Sequence, residues 1–178
     1  ILTLDIDYAP PSFWQDLKSD MSLAIIPQFA CCIYSTHKHS PNKPRLRLIL
    51  PLAHPVGPEE YEAVARKVAE QIGIDYFDDT TFEPARLMYW PSTARDAEFF
   101  FDYLDGPAID PEAILNLYHD WRDVNEWPES SRAQKKRHKT LDKLQKDPLG
   151  KQGLIGVFCR TYTIQAAIET FLTNIYVP

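Results

Sequence analysis

Two carboxylates, Asp5 and Asp7, stand two residues apart in the segment Leu2-Thr-Leu-Asp-Ile-Asp-Tyr8. Side chains of a strand alternate faces, so Asp5 and Asp7 share one face with Thr3, while Leu2, Leu4, Ile6 and Tyr8 are expected to pack inward. Asp is depleted in strands and like charges this close repel, so the pair calls for compensating cations or a fully wet setting. A divalent ion such as Mg²⁺ supplies that compensation, because it takes hard oxygen ligands, commonly one or two carboxylates, with substrate phosphates completing its shell. Two such ions would clamp the attacking and leaving oxygens of a phosphoryl transfer. An exposed strand end with two solvated acids is the plain alternative.

Arg45 and Arg47 repeat the two-residue spacing on a later strand, which aims two guanidiniums at one place and suits bidentate phosphate contacts. The competing reading is a solvated sheet face whose arginines pair with surface acids, an arrangement worth little energetically. Acids and arginines together would line opposite sides of one cleft, with metal-bound phosphates between them.

Other chemistry-bearing residues are weaker signals. His37 and His39, with Cys31 and Cys32 nearby, fit a zinc site poorly. Adjacent strand cysteines point to opposite faces, and structural zinc sites usually leave roughly two to four residues between theirs. A solvated or substrate-touching histidine pair is expected instead, with Cys31 and Cys32 in the core and on covered surface. The run from Arg132 to Lys146 holds seven basic residues against one acid, Asp142. It suits template phosphates or, equally, a charged linker or solvated helix face. Met88, Tyr89 and Trp90 could stack on a base, but such a cluster reads first as core.

The elements that must position these groups follow from pattern. Pro10-Pro11-Ser12 interrupts the chain before a short helix carrying Phe13, Trp14 and Leu17. Phe29 to Tyr34 and Arg45 to Leu52 read as strands, joined by the polar, cationic loop Ser35 to Pro44. Pro58-Glu59-Glu60 opens a helix with the stripe Tyr61, Val64, Ala65, Val68 and Ile72, closed by Gly73. Glu98 to Leu104 reads as a further strand. Helical spacing follows from Pro111 through Ile114, Leu115, Tyr118 and Trp121. Leu154 to Tyr162 and, after a Thr163 cap, Ile164 to Leu172 read as two short helices in a hairpin.

Strands early and helices late indicate an α+β fold. The 178 residues allow one substantial core, and an apolar fraction of 44% makes it globular rather than disordered. A net charge of -6 argues against a protein that coats nucleic acid nonspecifically, while leaving room for a local basic groove. Three cysteines form no disulfide framework, which fits a reducing cytoplasm. No apolar run approaches a bilayer span, and no basic-then-apolar signal opens the chain. The sequence begins with Ile inside a strand, so it is expected to be part of something longer.

Taken together, the strand bearing Asp5-x-Asp7, the Tyr34-Ser-Thr-His37 strand end with its cationic hairpin, and the Asp-rich segment leading to Arg86 resemble the archaeo-eukaryotic primase superfamily. More narrowly, YSTHKHSPNKPRLRLILPL, EEYEAVARKVAEQIGIDYFDDTTFEPARLMYWPST and GLIGVFCRTYTIQAAIETFL are similar to the primase-polymerase domains of phage and mobile-element replication proteins, the virulence-associated E-like, helicase-fused group. The likeness covers most of the chain. It implies a primase-polymerase core with a mixed sheet, an RRM-like unit flanked by helices, over residues 1–110. A helical and basic linker would occupy 111–150, and the start of a small C-terminal helical module 151–178.

The superfamily joins an Asp-x-Asp metal motif to a Ser-x-His nucleotide-binding motif and a third metal-binding acid. Asp5 and Asp7 correspond to the first, and Ser35 and His37 to the second. In several relatives the histidine lies inside the strand after the loop, where this chain has Arg45 and Arg47, so an arginine is the alternative holder of the triphosphate. Asp75, Asp78 and Asp79 are candidates for the third acid, and the spacing back from Arg86 and Pro91 favours Asp78, with Asp79 its rival.

What the resemblance implies is a DNA primase/polymerase. Asp5, Asp7 and Asp78 or Asp79 would hold two Mg²⁺ or Mn²⁺ ions, and Ser35, His37, Lys43, Arg45, Arg47 and Arg86 would face the triphosphate. The expected partners are single-stranded DNA template, nucleoside triphosphates and a helicase domain on the same or a partner chain, with no membrane. Two rivals use the same residues: a metal-dependent nuclease with water as nucleophile, and a replication-initiation DNA-binding module that has lost catalysis.

Overall fold

A computed structural model describes residues 1–19, 28–144, 149 and 152–172, with the side chains at 141–144 outside the description. It divides into two units, residues Ile1–Ala133 and Gln134–Pro178.

In the first unit the elements run β1 (Leu2–Ile6), α1 (Phe13–Ser19), β2 (Cys31–Ser35), β3 (Leu46–Leu50), α2 (Pro58–Ile72), β4 (Phe101–Leu104) and α3 (Pro111–Leu115). The strands form one sheet in the order β1-β3-β2-β4. Every strand pair in it is antiparallel, a correction to the expected mixed sheet. The reason lies in the connections. β2 and β3 are joined directly as a hairpin, whereas each helical connection, β1 to β2 through α1 and β3 to β4 through α2, passes over one intervening strand. No two parallel strands therefore become neighbours. The succession strand, helix, strand, strand, helix, strand is that of split βαβ units.

Alternation builds the core. Leu2, Leu4 and Ile6 of β1, Ile33 of β2, and Leu46, Leu48 and Leu50 of β3 are buried on one face of the sheet. Val64, Ala65, Val68 and Ile72 of α2 join them in a single cluster with Phe77 and Phe82. Each valine, leucine, isoleucine and phenylalanine among them contributes about 1.5–3 kcal/mol of transfer free energy. α2 starts as its sequence indicates: Pro58 occupies the first turn and Glu60 accepts the Gly57 N–H at 2.8 Å. It stops at Gly73, whose φ of +121° is open to glycine, and where an added Cβ would sit 2.7 Å from the Tyr76 ring.

Three sequence expectations change. β1 ends at Ile6, because the N–H groups of Asp7 and Tyr8 both turn to the Tyr76 carbonyl. Tyr8 consequently faces outward, 53% exposed, with the Arg132 guanidinium 4.0 Å from its ring centroid. The helix from Pro111 closes at Leu115, so Tyr118 and Trp121 belong to the turns beyond it. Tyr118 is still buried and donates to the Ala63 carbonyl at 2.7 Å, which fastens this segment to α2. Tyr89 and Trp90 are exposed rather than core, Trp90 at 91%, because the segment around them forms no strand or helix that could bury one face.

α4 spans Ser131–Leu144. Arg132, at its start, donates to the Asp75 and Phe77 carbonyls at 2.8 and 2.7 Å, so this basic residue serves the first unit rather than standing free. Lys135, Lys136, Arg137 and Lys139 are exposed, while Lys146 and the side chain of Lys143 lie outside the described residues. In the second unit α5 (Gly153–Thr161) and α6 (Ile164–Phe171) follow the expected division, with the Thr163 hydroxyl accepting the Ala166 N–H at 3.1 Å. Phe158, Tyr162 and Phe171 bring the two helices together, ring centroids 5.2 to 5.9 Å apart. Among the described residues no helix is long and apolar enough to cross a membrane.

Candidate functional site

The face of the sheet opposite the core carries the polar residues. Register places Asp5 beside Arg47, and Arg47 beside Tyr34, so one row of side chains crosses three strands. The Arg47 guanidinium meets both Asp5 oxygens, Nε to Oδ1 at 2.6 Å and Nη2 to Oδ2 at 3.3 Å. Its Nη1 donates to the Tyr34 hydroxyl at 3.3 Å and to the Tyr89 carbonyl at 2.6 Å. Burial by itself would lower the Arg47 pKa, but the bonds to Asp5 and Tyr34 outweigh it and the net movement is upward. At the next position outward, Arg45 pairs with Asp7 at 2.5 Å.

A third acid arrives from a segment with no strand pattern. Residues 76–81 run beside β1: Ile6 bridges Phe77, and Asp78 N–H donates to the Asp5 carbonyl at 2.9 Å. The fully buried Thr81 accepts the Asp5 N–H at 2.8 Å and donates to the Thr3 carbonyl at 3.3 Å. This lashing sets Asp78 alongside Asp5 and Asp7, where its carboxylate caps Thr80 and lies 3.8 Å from Arg86.

The three acids and three arginines line one cleft of about 670 Å³, within the usual size range of small-molecule sites. His37 and Lys38 reach it from the β2–β3 hairpin, and Tyr89, Trp90 and Ser92 from the segment that follows Arg86. Each carboxylate faces its own guanidinium: Asp5 with Arg47, Asp7 with Arg45, and Asp78 with Arg86.

Other expected site residues lie elsewhere. Ser35 is buried on the core side, its hydroxyl accepting the Phe100 N–H at 2.9 Å, because it alternates with Tyr34 along β2. It is not among the residues that line the cleft. Lys43 is exposed near the hairpin tip, where Ser40 and Lys43 pair through their backbones, and it is not among the cleft-lining residues. Asp79 accepts from the Ser130 hydroxyl and Arg132, and Asp75 from the Ser131 N–H, so both anchor the start of α4 rather than the cleft. His39 accepts the Arg45 N–H at 3.2 Å and braces the hairpin, and burial lowers its pKa. Cys31 is buried and Cys32 partly covered, and burial chiefly, then the neighbouring Cys32 thiol, pushes Cys31 up to about 11.

Sequence reasoning missed Lys38, Tyr34 and Thr81. Lys38 is one of several cations in a loop, and pattern does not say which faces inward. Tyr34 and Thr81 gain their roles from register and from a long-range approach that no local spacing encodes.

Acids and arginines alternate in the cleft rather than lining its opposite sides as expected, because register makes Asp5 and Arg47 neighbours on one sheet face. The three carboxylates are hard oxygen ligands of the kind that Mg²⁺ or Mn²⁺ takes. Among the described residues, however, no three His, Cys, Asp or Glu side chains are arranged to hold an ion. The acids fit the metal in chemistry, and their oxygens are meanwhile held by arginines.

A family model described as the VapE N-terminal domain matches residues 1–130. No curated protein and no solved structure matches the chain.

Proposed function

The chain belongs to the VapE N-terminal domain family, and from that membership and the cleft we propose a template-directed nucleotidyltransferase, a DNA primase/polymerase. The family is consistent with a replication-related protein of a phage or mobile element. One observation carries the catalytic reading: Asp5, Asp7 and Asp78 meet Arg45, Arg47 and Arg86 in pairs within one cleft.

Separate ligands suit the two halves of each pair. A nucleoside triphosphate presents oxyanions to Arg45, Arg47 and Arg86, and His37 and Lys38 extend the positive wall toward the hairpin. Asp5, Asp7 and Asp78, released from the guanidiniums, would hold Mg²⁺ or Mn²⁺. When bound, two such ions supply activation of an attacking hydroxyl and stabilisation of the leaving pyrophosphate. The chain's own residues orient the triphosphate, balance its charge and, through the Tyr89 carbonyl on Arg47, tie the segment after Arg86 to the acid row. A helicase on the same or a partner chain is part of this reading.

Incubation with single-stranded DNA, labelled nucleotides and Mg²⁺ or Mn²⁺, with and without a primer, tests it. Strand extension that Asp5→Ala and Asp7→Ala abolish is expected. Shortening of the DNA instead would assign the cleft to a nuclease.

A second reading has an observation of its own. All three acids are already neutralised by arginines, which is also what a DNA-binding module without catalysis would retain. Metal-independent DNA binding with no incorporation under any condition would establish it.

A further inference from the structure

β4 is an edge strand, pairing with β2 alone. Its register sets Phe101 opposite Tyr34 and Tyr103 opposite Cys32. Both aromatics therefore lie on the face that carries Asp5 and Arg47, and Phe101 extends that row by one strand. They are 55% and 59% exposed, with ring centroids 6.3 Å apart.

The strand cannot turn them inward. On its other face Asp102 accepts from Trp14 Nε1 at 2.6 Å and from Lys18 at 2.9 Å, and Leu104 packs against the core. Two large rings are thus held outward by bonds made behind them.

Cations adjoin the aromatic end. Ser35 N–H donates to the Phe100 carbonyl at 2.8 Å, so the hairpin loop leaves β2 directly beside Phe101. That loop, Thr36 to Arg45, contains no acid, and besides Arg45, which Asp7 engages, it carries Lys38 and Lys43. An apolar peptide would use the rings and waste the charges, and a duplex would use the charges and waste the rings. A single strand uses both, its bases stacking on aromatic faces while its phosphates meet the loop lysines.

We propose that Phe101 and Tyr103 form a base-stacking platform that holds single-stranded nucleic acid beside the cleft, with the β2–β3 hairpin gripping its phosphates. Only the identification of that strand as the template rests on the polymerase reading.

The test is binding of a fluorescently labelled oligothymidine to the whole chain without metal or nucleotide, measured by anisotropy against an abasic strand of equal length. Oligothymidine binds more tightly than the abasic strand. Phe101→Ala and Tyr103→Ala each lower its affinity roughly tenfold, the order of one lost stacking contact, and leave abasic binding unchanged. Phe101→Trp, which keeps a flat ring, retains binding and controls for folding. Equal affinity for both strands, or unchanged affinity in the alanine variants, overturns the platform. So does sedimentation that shows a dimer dissociated by Phe101→Ala with DNA affinity intact, which assigns the face to a second copy. Ring-dependent binding without any nucleotide incorporation overturns the polymerase reading alone, and incorporation with ring-independent binding overturns the platform alone.

Discussion

Asp5 and Arg47 are cross-strand partners on β1 and β3, and the guanidinium grips both carboxylate oxygens from a position with 8% of its side chain exposed. The pair is at once the most buried ionic contact described in the cleft and the centre of the proposed catalytic row. Its energetics follow from that burial. Removing one partner of such a pair leaves an uncompensated charge out of water.

Arg47→Met should therefore destabilise the fold by about 3–5 kcal/mol, read from urea unfolding. Adding Asp5→Asn to it should recover much of the loss, because no charge is then stranded. Arg47→Lys should not substitute, since an ammonium cannot reproduce the fork that reaches Asp5, Tyr34 and the Tyr89 carbonyl together. A fully stable Arg47→Met protein would show the pair to be energetically idle.

Asp78 and Asp79 are neighbours with different employment. Asp78→Asn should abolish nucleotide incorporation at little cost in stability, because its side chain faces the cleft and asparagine keeps an oxygen to cap Thr80. Asp79→Asn should keep incorporation while lowering stability by about 1–3 kcal/mol, through weakened bonds to Ser130 and Arg132. Parallel incorporation and melting measurements on the two variants check this, and a reversed pattern would make Asp79 the third acid.

Asp102 supplies a pH dependence away from the cleft. Hydrogen bonds from Lys18 and then Trp14 hold its carboxyl down from 3.8 to about 2. A depressed carboxylate binds its proton less readily folded than unfolded, so its stabilisation is complete above the unfolded value near 4 and is lost as pH falls toward 2. Melting temperature should fall across that window in the parent protein and less steeply in Asp102→Asn. Identical acid limbs would remove Asp102 as a cause.

Cys31 should resist alkylation at neutral pH while the protein is folded, since burial pushes its thiol up to about 11 and little thiolate exists there. Mass spectrometry after a brief iodoacetamide exposure reads the sites modified. Labelling of Cys31 as fast as an unfolded control would mean that the core around β2 opens readily.

Much of this was legible in the chain. The two-residue spacing put Asp5 and Asp7 on one face, and Arg45 and Arg47 on one face, before any partner was known. Proline and paired acids marked the start of α2, and Gly73 its end, because those residues act on the backbone locally. The motif letters of Ser35 do not give its face: alternation after the cleft-lining Tyr34 sends it to the core side. Trp90 reads as core and is exposed, because hydrophobicity alone does not say whether a partner surface exists.

By itself, then, the sequence determined the periodicities, the strand and helix ends that depend on nearest neighbours, and the family to which residues 1–130 belong. Tertiary structure decided which acid joins Asp5 and Asp7, that each acid is met by its own arginine, and that Phe101 and Tyr103 extend the same face. Apart from Asp78 and Arg86, which are near neighbours in the chain, those relationships join residues about forty to a hundred positions apart through register and through the lashing of Thr81 to β1. Alternation fixes a side chain's face within its own strand, whereas the neighbour it meets there is set by which strands pair and by how far each is slid along the other.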